Sequence, residues 1–281
     1  MDTAVVVDLE RTSLRERIRA LREGIAALHE QIEDLRKHRG PALEAEYAAA
    51  FGDLELALLA ARADLASAKR SFELFVAAVQ RGAALTVDLL ASIDAQVAEE
   101  HRAWRDDLAR QADTLARQKA WLGGDPVTDD RVAEARTLYR ALVRALHPDL
   151  VGAESEDYLR HWQTIQDAHA AFDVAMLAAL HALLVDGRVG SGGVTAPADD
   201  LWVLRASVEK LGATLSRLSV RLTQLRGKFP FKHEEDLANP PWIEARRAAL
   251  REELDAVRER LAMTTLRVAQ VRAGQDPFEV N

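Results

Sequence analysis

The feature that most constrains this chain is a strict alternation of apolar residues three and four positions apart. Leu14, Ile18, Leu21, Ile25, Leu28, Ile32 and Leu35 follow it without interruption. Such a row forms one stripe along an α-helix, and a stripe this regular needs a second helix to cover it. The pattern returns near the C-terminus in Leu201, Leu204, Val208, Leu211, Leu215, Leu218, Leu222 and Leu225. It returns again from Ile243 through Leu250, Leu254, Val257 and Leu261 to Val271. A further stripe runs from Leu43 to Val79, with one phase slip between Leu54 and Leu58 that would locally perturb a supercoil. No sustained two-residue alternation of strand-forming residues occurs. The expected fold is all-α and elongated, built from antiparallel coiled-coil or helical hairpins.

Local signals mark the helix ends. Thr12 or Ser13 is a plausible cap for the first seam, and Gly40-Pro41 is expected to end it, because proline disfavours helical geometry in the residue before it. The second helix would start at Pro41 and break at Gly82, and a third would span about Thr86 to Leu122. A two-residue turn between the first two favours antiparallel neighbours. The seams leave open whether their partners lie in the same chain or in a second copy, so a homo-oligomer is one expectation. Asp186 to Asp200 is rich in glycine and poor in large apolar residues, as flexible linkers are. The last two seams, joined by the bend Lys228 to Trp242, are expected to form an antiparallel hairpin. Phe229, Phe231 and Trp242 gather at that bend, either as a partner-binding tip or as an apolar plug. The boundaries are thus an N-terminal helical region at 1–122, a central module at 123–187, a linker at 188–200 and a C-terminal hairpin at 201–281.

Composition narrows the function classes. The 281 residues contain no cysteine, which removes disulfides, thiolate nucleophiles and cysteine metal sites together. The net charge of −8 comes with no basic block, so nucleic-acid binding is not expected. The longest apolar stretch, Ala170 to Val185, is broken by Asp173 and His181 and is too short for a membrane span. The N-terminus carries Asp2, Asp8 and Glu10 and does not read as a secretory signal, so a cytoplasmic protein is expected. No glycine-rich phosphate loop, nucleophile motif or helical pair of histidines four apart is present. Catalytic residues, metal ligands and cofactors are therefore not expected.

The central module has its own signals. Thr128 followed by Asp129 and Asp130 starts a helix, with carboxylates at the positive end of its dipole. That helix carries an arginine row at Arg136, Arg140 and Arg144 and stops at His147-Pro148-Asp149. After a polar loop, Trp162, Ile165, Ala168, His169 and Phe172 mark a second helix. Tyr139 stands eight positions before His147, and Leu142 stands five before it. With these flanking residues in register, the HPD tripeptide resembles the centre of a J-domain, the Hsp70-recruiting module of DnaJ-like co-chaperones, over about residues 128–180. The resemblance implies that His147, Pro148 and Asp149, with Arg136, Arg140 and Arg144, dock on an Hsp70-type chaperone and stimulate its ATP hydrolysis. The chain departs from the family's pattern at several positions. Its short first helix is not recognisable, Ala141 and Ala145 stand where lysines are common, Leu150 follows the tripeptide in place of lysine, and His169 replaces a tyrosine. The function expected by resemblance is a co-chaperone or adaptor whose coiled-coil arms bind a client or assemble the protein. The alternative is a structural coiled-coil scaffold whose J-like module no longer stimulates Hsp70.

Overall fold

The computed structural model describes residues 3–122, 127–151, 154–186 and 200–275. The expected turn at Gly123 to Pro126 and the expected linker, apart from its end residues, lie outside the described residues. The fold is all-α, with no strand among the described residues. It divides into two compact units. One is drawn from Met1–Pro41 and Asp125–Lys232, the other from Ala42–Gly124 and His233–Asn281. The division cuts across the expected N-terminal, central and C-terminal blocks, because helices distant in sequence pair with each other.

In the first unit, α1 (Thr3–Asp34), α6 (Asp129–Leu146), α7 (Pro148–Val151), α8 (Glu156–Ala170), α9 (Val174–His181) and α10 (Leu201–Arg226) surround one apolar core. Ile25 and Ile32 of the first seam are buried against Leu211, Leu218 and Leu222 of α10. Glu10 meets Arg205, and Gly24 lies beside Leu215, so residue numbers rise together and α1 and α10 run parallel. The two helices of the expected C-terminal hairpin thus fall in different units, α10 in this one. A three-four seam states that a helix is covered but carries no address for its partner. Here the first seam finds a covering helix within its own chain.

α6 packs against α1, α8 and α9. Ala135, Tyr139, Leu142, Val143 and Leu146 are its buried stripe. Thr128 occupies the predicted N-cap position in extended geometry, although its hydroxyl makes no capping hydrogen bond. Tyr139 stacks on His169 at 4.2 Å, while His147 approaches Tyr158 at 5.8 Å, so α6 and α8 are antiparallel across the HPD turn. Ser155 caps α8 and Asp173 caps α9, each accepting from a backbone N–H three residues on.

In the second unit, α3 (Asp53–Gln80) packs along α12 (Pro240–Arg272), with α4 (Val87–Glu100) and α5 (Arg102–Trp121) against α3. Phe51, Leu58 and Leu65 are buried with Leu250, Leu254 and Val257. Arg62 pairs with Glu253, and the Arg272 guanidinium lies 4.8 Å over the Phe75 ring, so this pair also runs parallel. Gly82 at φ 74° ends the α3 region as predicted, in a conformation glycine adopts without strain. Thr86 caps α4 by accepting from Leu89 N. The expected third helix is two helices, because His101 leaves helical geometry between α4 and α5.

The expected stop at Gly40-Pro41 does not form. Gly40 is helical at φ −60°, ψ −57°, and its N–H reaches back five residues to Leu35 O, closing a π turn over Leu35–Arg39. The wide turn accommodates the following Pro41 at the start of α2 (Gly40–Tyr47), where a regular turn would set the ring against a preceding carbonyl. A second π segment covers Ala48–Gly52, close to the phase slip read from the sequence.

Candidate functional site

The HPD turn is built by the stop of α6. His147 leaves the helix at φ −66°, ψ 131°, as the residue before a proline is biased to do. Pro148 then opens the single turn α7, whose Leu150 is buried. Leu150 N and Val151 N both donate to His147 O, and Asp149 N donates to His147 Nδ1 at 3.2 Å. The tripeptide is thus a closed, self-bonded turn.

Its side chains face their own unit. Asp149 accepts on Oδ2 from His29 Nε2 of α1 at 3.1 Å and on Oδ1 from Arg217 Nη2 of α10 at 2.9 Å. The His147 and His29 rings lie 3.9 Å apart, and Trp162 stands edge-on to His147 at 5.1 Å. Burial depresses the pKa of both imidazoles. For His147 it does so down to about 4, helped by the neighbouring His29. For His29, burial outweighs the hydrogen bond to Asp149 that pulls the other way. Both rings are therefore neutral at pH 7, and the His29–Asp149 contact is a hydrogen bond to a carboxylate rather than an ion pair.

The arginine row faces the same helix. Arg136 Nη2 donates to Asp34 at 2.7 Å, and its Nε lies 3.3 Å from Glu30. Arg144 pairs with Glu23. Since 136 pairs with 34 and 144 with 23, α1 and α6 are antiparallel, with an acidic row against a basic one. Burial raises the pKa of Glu30, and Arg136 partly offsets this. For Asp34 burial pushes upward too, but the hydrogen bonds from His38 and Arg136 win and hold it low. Arg140 lies half-buried and lines a shallow cleft with Glu30, Asp34 and Arg136.

Of the predicted site residues, Arg136 and Arg144 pair with α1, Arg140 lines the cleft beside them, Asp149 bonds His29 of α1 and Arg217 of α10, and His147 lies between His29 and Trp162 of α8. The three aromatics of the expected tip belong to different units. Phe231 is buried in the first unit, where its ring would meet a side chain placed on Gly40, and Phe229 is half exposed. Trp242 packs edge-on against Phe51 in the second unit at 5.6 Å. Sequence reasoning missed His29, Glu30, Asp34 and Arg217. A signal was available: Glu30 and Asp34 are four apart beside the first seam, the spacing of the arginine row they meet.

His29, His147 and Asp149 also bring three potential metal-ligand atoms within 4.8 Å of one another, the one such group among the described residues. Among those residues, too, no helix is long and apolar enough to cross a membrane. No family model matches this chain, and neither does any curated protein or any solved structure.

Proposed function

We propose that this chain is a helical interaction scaffold in which the J-like module serves as an internal joint, its HPD turn and arginine row holding α1 and α10 in place. One observation carries this reading. Both carboxylate oxygens of Asp149 are bonded to helices of its own unit, and Arg136 and Arg144 are paired to α1. An external chaperone that used these groups would first have to displace those helices. Protein partners would then be engaged through the remaining helical faces, in a reducing, cytoplasmic setting that a cysteine-free chain tolerates.

A second reading is favoured by the turn itself. His147-Pro148-Asp149 keeps a closed turn between antiparallel helices, the arrangement by which the chain resembles a J-domain. In that reading the protein is an Hsp70 co-chaperone whose docking face is uncovered only when α1 and α10 release it. Single-turnover ATP hydrolysis by an Hsp70 from the same cell separates the two. The scaffold reading expects no stimulation by the native chain or by a chain opened with Arg217→Glu and Asp34→Arg. Stimulation by the opened chain alone, abolished by His147→Gln, would establish the gated co-chaperone. Stimulation by the native chain that His147→Gln abolishes would overturn the scaffold reading outright.

A further inference from the structure

We propose that His29, His147 and Asp149 form a binding site for one divalent transition-metal ion, with Zn2+ the best chemical match. The ligand set comes from separate elements, α1 on one side and the α6–α7 turn on the other. His29 Nε2 and Asp149 Oδ2 are 3.1 Å apart, and His147 Nδ1 and Asp149 Oδ2 are 3.9 Å apart. Zinc bound to nitrogen and oxygen at about 2.0–2.1 Å in a tetrahedron needs ligand atoms roughly 3.3 Å from one another. These two separations bracket that value and the three ligand atoms all lie within 4.8 Å of one another, so side-chain shifts bring them onto one ion. Two imidazoles and one carboxylate suit Zn2+ or Co2+, while Ca2+ and Mg2+ favour all-oxygen shells.

The surroundings fit the same use. Both rings are neutral at pH 7 for the reason given above, and a neutral imidazole is the form that ligates. Each of the three side chains retains some exposure, between 13% and 26%, which leaves room for water as the fourth ligand. Arg217 bonds Oδ1 of Asp149 and leaves Oδ2 to the ion, orienting the carboxylate from outside the shell. Binding moves the His29 proton from Nε2 to Nδ1 and releases the 3.2 Å contact between Asp149 N and His147 Nδ1. No net proton is lost, because both rings are neutral beforehand. A bound ion pins α1 to the HPD turn. This site does not depend on whether an Hsp70 is ever engaged.

Equilibrium dialysis of the tag-free full chain against Zn2+, beside Co2+ titration followed by visible absorption, tests the proposal. The expected result is one ion per chain and the intense d–d bands of low-coordinate Co2+. His29→Gln and Asp149→Asn should each weaken binding by about tenfold or more. His101→Ala, in the other unit, should leave it unchanged. The Co2+ spectrum of the unsubstituted chain stands even if a variant folds poorly. Absence of saturable binding, a weak six-coordinate Co2+ spectrum, or full affinity in both ligand variants would each overturn the site.

Discussion

His169 gives the sharpest energetic prediction. It is 1% exposed, stacked on Tyr139 and edge-on to His38 at 5.3 Å, and its Nε2 has no hydrogen-bond partner in the described structure. Burial drives its pKa down to about 4, with His38 and Arg136 adding to the shift and Asp34 opposing it. In the unfolded chain the same group titrates near 6.5. Between those values the unfolded chain binds the extra proton, so stability rises with pH across the window. The contribution is complete above about pH 6.5 and lost as pH falls toward about 4. At about 1.4 kcal/mol per pH unit, the whole window is worth about 3 kcal/mol, of which about 2 kcal/mol is lost by pH 5. His169→Phe removes the titrating group and the orphan nitrogen while keeping a flat ring against Tyr139. Native-state hydrogen exchange of the α6 amides, corrected for intrinsic rates, should show the opening equilibrium growing roughly thirtyfold more in the native chain than in the variant between about pH 7.5 and pH 5. His29 and His147 are also held low by burial, so the difference between the two proteins is the readout. An equal pH response in both would refute the assignment.

Other substitutions probe separate parts of the account. Tyr139→Phe removes a buried hydroxyl that has no partner, so thermal unfolding should show it equal to the native chain or about 1 kcal/mol more stable. Gly40→Ala should destabilise by about 1–3 kcal/mol in urea titration despite alanine's better helix propensity, because the added carbon meets Leu35 O at 2.8 Å and the Phe231 ring at 3.2 Å. Leu142→Ala, fully buried in the first unit, should cost about 2–5 kcal/mol, and hydrogen exchange should place the loss in α6, α8 and α9. Leu254→Ala should show a cost of similar size in the α3 and α12 amides of the second unit.

Several of these features were legible in the sequence for stated reasons. The seams marked helices because their apolar spacing matches the helical repeat. Thr86 and Gly82 marked ends because their chemistry suits those positions. Pro148 stopped α6 as expected. Pro41 did not stop its helix, since proline's clash depends on a regular preceding turn and the π turn at Leu35–Arg39 removes that condition. Partner choice was not legible. Leu204 and Leu211 would serve equally against any apolar stripe, and it is charge pairings such as Arg205–Glu10 and Arg62–Glu253 that carry information about which helix lies beside which. The arginine row was expected, by resemblance, to meet an Hsp70, and the acidic residues of α1 that Arg136 and Arg144 pair with are over a hundred residues away in sequence. His29 carried no local signal of its own, since a lone histidine beside a seam acquires meaning only when the HPD turn folds against it.

The central claim is that α10 lies over the HPD turn in the resting protein. The chain has no cysteine, so two introduced thiols are the only labelling sites. Cysteines placed at the exposed positions Val151, in α7, and Arg221, in α10, can each carry a spin label without touching the core. Pulsed electron-spin distance measurement should return one narrow peak at the short end of the accessible range. A broad distribution reaching to long distances would contradict the claim and leave the HPD turn open to an external partner.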